Sequence, residues 1–193
     1  MQAERIPALL KERPYNSLIA LTPSNNIKNI ENLDNQEQNE LAVQTALDTV
    51  SIVEKALDDT PTLKKVIIVE LPPRADSVRL SELTEFCNFT LKGRIEKSRY
   101  HKQITMASLN NVYDYKHDHI FGSPSSQSYD GIHMRGRFGK QAYTDSILSA
   151  VEAAGLRRPR RIILIDQGNT STWLDALTPS NTNTSNTSHL QYV

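Results

Sequence analysis

Asp130 and His133 stand three residues apart in the stretch YDGIHMRGRFGKQAYTDSI, which runs from Tyr129 to Ile147. Side chains at i and i+3 fall on one side of a single turn of backbone. The Asp130 carboxylate can therefore accept a hydrogen bond from one ring nitrogen of His133 and leave the other nitrogen open. A histidine held in this way is a general base, and the pair is the acid–base half of a hydrolytic triad. The bland alternative is that His133 caps the helix that follows while Asp130 bonds loop amides. That helix begins near Gly139 and carries Ala142, Tyr143, Ile147, Leu148 and Val151 at helical spacing, a packed base for the loop. The nucleophile is unknown. Ser24, Ser123, Ser125, Ser126 and Ser128 are near in sequence. None of them sits in a tight strand-to-helix turn that would aim it at the histidine and at oxyanion donors.

Other reactive side chains read as structural. Cys87 is the single cysteine and lies within a helical apolar pattern, so it is a small core residue. Asp114, His117, Asp118 and His119 resemble metal ligands by type, but the two histidines are two apart on a loop and no second cluster completes the spacing. No metal and no cofactor is expected. Arg74 follows Pro72 and Pro73 at the end of a strand, where it either faces a substrate anion or is simply exposed.

The elements that must position these residues alternate along the chain. Residues 2–12 suggest a short helix, and SLIALT at 17–22 a buried strand ending in the turn Pro23-Ser24-Asn25-Asn26. Leu41, Val43, Leu47, Val50, Val53 and Leu57 keep a helical stripe over 37–57, closed by Pro61. VIIVEL at 66–71 is an unbroken apolar run of the kind buried on both faces in a parallel sheet, and Pro72 stops it. A second helix is expected over 80–98, with Leu83, Phe86, Cys87, Leu91 and Ile95 inward, and a weaker strand at 103–107. Such alternation predicts a three-layer α/β/α sandwich with a parallel sheet.

Composition narrows the class further. With 193 residues, 38% hydrophobic and 23% charged, the chain can bury one sizeable core, and its zero net charge creates no global field for nucleic acid or membrane. No apolar run approaches the length of a membrane span. The opening MQAERIPALLKER is charged where a signal peptide would be apolar, so an intracellular, cytoplasmic protein is expected. After residue 155 the character changes. Arg157, Arg158, Arg160 and Arg161 surround Pro159, RIILID offers one more strand, and 178–188 is almost wholly Thr, Ser and Asn, a composition that reads as disordered. The organisation expected is a domain over 1–155 and a basic segment with a disordered tail over 156–193. The arginines read as a solvated helix end, or else as a patch for nucleic acid or protein.

With strand, turn and Asp-x-x-His together, the chain resembles the SGNH (GDSL-type) hydrolase family, whose fold is a flavodoxin-like α/β/α sandwich. YDGIHM with its following helix is similar to the family's final block. LTPSNNIKNI is similar to its Gly-x-Asn-Asp block, and VIIVELPPRAD to its fourth strand. The resemblance implies His133 as general base, Asp130 as its orienting carboxylate, Asn25 as oxyanion donor, and a small ester as substrate. Pro23 and Asn26 replace the family's glycine and aspartate, and proline lacks the backbone N–H that a glycine would offer. The family's Gly-Asp-Ser block, which precedes the Asn block, has no counterpart upstream of Pro23. The expectation is therefore an amino-terminally truncated, inactive copy. The alternative is a non-catalytic binding module derived from an esterase fold, carried by a retroelement and contacting nucleic acid or protein through basic segments such as KGRIEKSRYHK.

Overall fold

The computed structural model describes residues 16–22, 27, 30, 32–109, 120–127, 129–134 and 137–156. Strands β1 (Ser17–Leu21), β2 (Lys65–Val69) and β3 (Ile104–Ala107) form a parallel sheet in chain order. Ser17 lies opposite Lys65, and Val66 opposite Ile104. Helices α1 (Asn35–Asp59) and α2 (Val78–Glu96) connect them, and α3 (Arg137–Ala153) follows the third strand. The expected parallel α/β architecture is therefore present.

Each element has a local cause. Asp34 accepts hydrogen bonds from Gln36 N–H and Glu37 N–H at 2.8 Å each, and the Glu37 carboxylate accepts from Asp34 N–H at 2.8 Å. This reciprocal capping box starts α1 two residues before the apolar stripe does. Ser77 caps α2 by accepting from Leu80 N–H at 3.3 Å. The ladder of β2 ends at Val69, and Leu71 has left the sheet. The side-chain amide of Asn88 on α2 donates to Leu71 O at 3.0 Å while its oxygen accepts from Leu71 N–H at 2.9 Å. Asn88 thus serves Leu71 as a neighbouring strand would.

Side-chain alternation splits the core in two. Leu18, Ala20, Val66 and Ile68 face α1 and α2, while Ile19, Ile67, Val69 and Ala107 face α3, Ile120 and Phe121. That is three layers, with a core on each side of the sheet. Cys87 is fully buried in the first core, and burial pushes its thiol up to about 12, which keeps it protonated and inert. Phe86, expected inward, is 40% exposed, and Phe89 is 76% exposed. The inward face of α2 is instead Leu83, Cys87, Leu91 and Ile95, spaced by four.

The charges of the basic segment that spans the end of α2, residues 92–102, are partly paired within the fold. Arg99 pairs with Asp58 and lies over the Tyr100 ring, and Arg94 approaches Glu54 at 4.0 Å. Among the described residues no helix is long and apolar enough to cross a membrane. The expected helix at 2–12, the 178–188 segment and Arg157, Arg158, Arg160 and Arg161 lie outside the described residues.

Ile67 is fully buried at the centre of the sheet. Replacing it with alanine is expected to destabilise the fold by about 2–5 kcal/mol in chemical denaturation. Phe89→Ser, on the exposed face of α2, should change stability by no more than about 0.5 kcal/mol.

Candidate active site

The carboxyl ends of β2 and β3 are clasped by a buried acid. Glu70 N–H donates to Ala107 O at 3.2 Å, and the Glu70 carboxylate accepts from Leu109 N–H at 2.7 Å and from the Ser108 hydroxyl at 3.2 Å. Hydrogen bonds to an ionised acceptor are the stronger kind, so this clasp fixes where the chain leaves the sheet.

Beyond Pro72 and Pro73, Arg74 turns inward. Its side chain is only 9% exposed. It forms a two-pronged pair with Asp76, at 2.9 and 2.5 Å, and donates to Ile27 O at 3.2 Å. Both roles anticipated for Arg74, an anion ligand or a solvated side chain, are corrected by this arrangement. Its charge is committed to Asp76, and its planar fork ties the segment after β1 to the segment after β2.

The loop that carries the candidate pair rests on that second segment. Ala75 N–H donates to Gly131 O at 2.8 Å. Gly131 has φ +66, and a Cβ placed there would lie 2.6 Å from Asp76 N. Only glycine meets both demands, a left-handed backbone and contact with another main chain. Tyr129 and Met134 pack on the α3-side core at either end of the loop. Gly139 in the first turn of α3 lets that helix sit against Ile120, whose carbonyl would be 2.8 Å from a Cβ.

Within this frame Asp130 makes both of the contacts weighed for it. One carboxylate oxygen accepts from Ile132 N–H at 3.0 Å and His133 N–H at 2.9 Å, closing an Asx turn. The other lies 2.7 Å from Nδ1 of His133. The predicted contact exists, and a turn built on Gly131 makes it. Nε2 makes no hydrogen bond among the described residues, and the His133 side chain is 62% exposed. Partial burial works to raise the Asp130 pKa. The His133 N–H, the His133 ring, the Ile132 N–H and the charge of the imidazolium together outweigh it, and the carboxyl stays well below the ordinary carboxylate range.

The remaining site expectations divide. The Ser123 and Ser125 hydroxyls bond each other at 2.7 Å, and no hydrogen bond joins either to His133. Asn25, Ser24 and Ser128 lie outside the described residues, as do Asp114, His117, Asp118 and His119. The sequence singles out neither Gly131 nor Glu70, and Arg74 only as an anion ligand or an exposed side chain. The Asp130-Gly131 turn dipeptide is the visible signal for the first; nothing local marks the buried contacts of the other two.

No protein-family model matches the chain, and no curated protein matches it. Among solved structures, it is similar to the crystal structure of an alpha/beta hydrolase enzyme from the metagenome of Lake Arreo, Spain. The TM-score is 0.53 and the identity 13%, over 79% of this chain and 66% of that one, just under two thirds of its length. At that identity the likeness concerns the fold, a parallel α/β arrangement shared with a hydrolase.

Two outcomes follow from the loop. Gly131→Ala should cost about 1–3 kcal/mol in denaturation through left-handed strain, and should remove the Nδ1–Asp130 contact seen by nitrogen NMR of the ring. The Asp130 carboxyl carbon should titrate below the ordinary value near 3.9 and move upward in His133→Ala. Because the folded pKa is the lower one, the stability that Asp130 contributes is complete above the unfolded value. It is lost only as pH falls from there through the folded value.

Proposed function

We propose that this chain is an SGNH-hydrolase-like domain in which Asp130 and His133 form the acid–base half of an ester-hydrolysing Ser-His-Asp arrangement. The observation that carries the proposal is the 2.7 Å contact of Nδ1 with Asp130, on an exposed ring in a loop docked beyond the carboxyl end of β2. Parallel α/β folds keep their chemistry at that end of the sheet.

The division of labour follows from the geometry. With Nδ1 held by the carboxylate, Nε2 is the nitrogen that takes the proton from an attacking hydroxyl and returns it to the leaving alkoxide. The imidazolium formed in between is stabilised by an Asp130 that stays ionised far below neutral pH. Asn25 and backbone amides would meet the oxyanion. The substrate class is a small carboxylic ester. The hydroxyl is the unassigned member, since Ser123 and Ser125 are engaged with one another. The chain as it stands is therefore expected to turn over esters only weakly, by direct reaction at the oriented imidazole.

The test is hydrolysis of an activated aryl acetate by the purified chain. Slow hydrolysis is expected, lost in His133→Ala, reduced by at least about tenfold in Asp130→Asn, and unchanged when Ser123, Ser125 or Ser126 becomes alanine. Equal rates for the chain and His133→Ala would overturn the acid–base reading. Fast turnover that one serine variant abolishes would overturn the expected inactivity and identify the nucleophile.

A further inference from the structure

Helix α2 turns large apolar side chains outward. Of the four large hydrophobic residues left exposed among the described residues, Val78, Phe86 and Phe89 lie on this helix, at 80%, 40% and 76% exposure. Aromatic rings gathered on one exposed face mark an interaction surface. The core side of α2 runs through Leu83, Cys87, Leu91 and Ile95, so the outward line is Glu82, Phe89 and Gly93, with Glu85 and Lys92 along one flank and Phe86 along the other. A Cβ placed at Gly93 would meet nothing within 4 Å, so the face is flat one turn beyond Phe89.

Charge along this face selects the occupant. Glu82 and Glu85 lie in the amino-terminal half of the helix, Lys92 and Lys97 in the carboxyl-terminal half, and all four are exposed. Glu96 is the exception in the basic half and lies one turn beyond Lys92. Glu82 is paired with Arg79 at 3.3 Å, whereas Glu85 and Lys92 have no ion-pair partner among the described residues. They are two turns apart, beyond the reach of a pair within one helix. A second α2 running antiparallel would bring them together; a parallel one would set Glu85 against Glu85. The zero net charge of the chain adds no overall repulsion between copies.

We infer that the outward face of α2 pairs with the same face of a second copy of this chain, as an antiparallel helix pair about a two-fold axis beside Phe89. In such a pair each flank meets its own counterpart running the other way. With the axis between positions 88 and 89, Phe89 packs on Phe89 of the second copy, and Glu85 stands level with Lys92 of the second copy on both sides of the axis. Phe86 comes within two residues' rise, about 3 Å, of the level of Gly93 of the second copy. The ring falls where the missing side chain leaves space. One helix face is smaller than the roughly 800 Å² per partner of a standard interface, so the pairing is reversible and depends on concentration. Helix α3 packs on the other side of the sheet, and the inference stands apart from the hydrolase reading.

Sedimentation equilibrium of the full-length chain from roughly 1 μM to 1 mM, the range of such small interfaces, tests it. The mean mass should rise from that of one chain toward that of two. Phe89→Ser should weaken association at least about 30-fold, and Glu85→Lys or Lys92→Glu alone at least about tenfold. The chain carrying both Glu85→Lys and Lys92→Glu, in which each pair is only reversed, should regain it, and an equimolar mixture of the two single variants should form a mixed dimer. A chain that stays monomeric across the range would overturn the inference. So would a dimer indifferent to Phe89→Ser, one that reversal of both charges fails to restore, or growth beyond two copies, because a two-fold pair closes on itself.

Discussion

The candidate site depends on one close approach of main chain to main chain, Gly131 against Ala75 and Asp76. A hydrogen bond of 2.8 Å and a contact with no room for a Cβ hold the Asp130 loop to the segment leaving β2. That segment is held in turn by the Arg74 to Asp76 pair and by the Asn88 amide on Leu71. The geometry of one aspartate and one histidine thus traces back to the central strand through backbone and buried polar contacts. A carboxylate–imidazole pair joined only by flexible loops would lose most of its orientation to rotamer and loop entropy.

Polar groups buried at the carboxyl end of the sheet share a pattern. Glu70, Asn88 and Arg74 each satisfy main-chain groups that the sheet has released: those of Leu109, Leu71 and Ile27. Parallel strands of only five or four residues end abruptly, and the emerging backbone must find partners or stay wet. Satisfying it with side chains lets the strand ends be buried and irregular at once, which gives the Asp130 loop a rigid platform. Asp130 applies the same device to Ile132 and His133, with one oxygen left for the imidazole. Both sets of contacts are therefore one arrangement: the amides that lower its pKa also aim the carboxylate at Nδ1.

The apolar periodicities carried the architecture. Apolar runs stopped by Pro23 and Pro72 placed β1 and β2 to within a residue or two, because a strand buried on both faces must be continuously apolar, while β3 follows from a weaker run. The long stripe from Leu41 to Leu57 placed α1, although of its members only Val50, Val53 and Leu57 are buried. Helix ends were less legible: α1 begins at its capping box, a polar signal outside the stripe. Phe86 was misplaced because a large aromatic at a helical spacing reads as core, whereas the packed face of α2 steps by four through Leu83, Cys87 and Leu91.

The sequence by itself determined which residues could do acid–base chemistry and that they would meet. Asp130 and His133 are three apart, with a glycine between them that permits a tight turn, and that is a local matter of backbone geometry. Tertiary structure decided everything that depends on distant partners. It turned Arg74 from a candidate ligand into a strut between two loops, made Glu70 a clasp across two strand ends, and set Gly131 against another main chain. Each of those roles is set by a neighbour dozens of positions away, and composition and spacing do not encode which chain segments a parallel sheet will bring side by side.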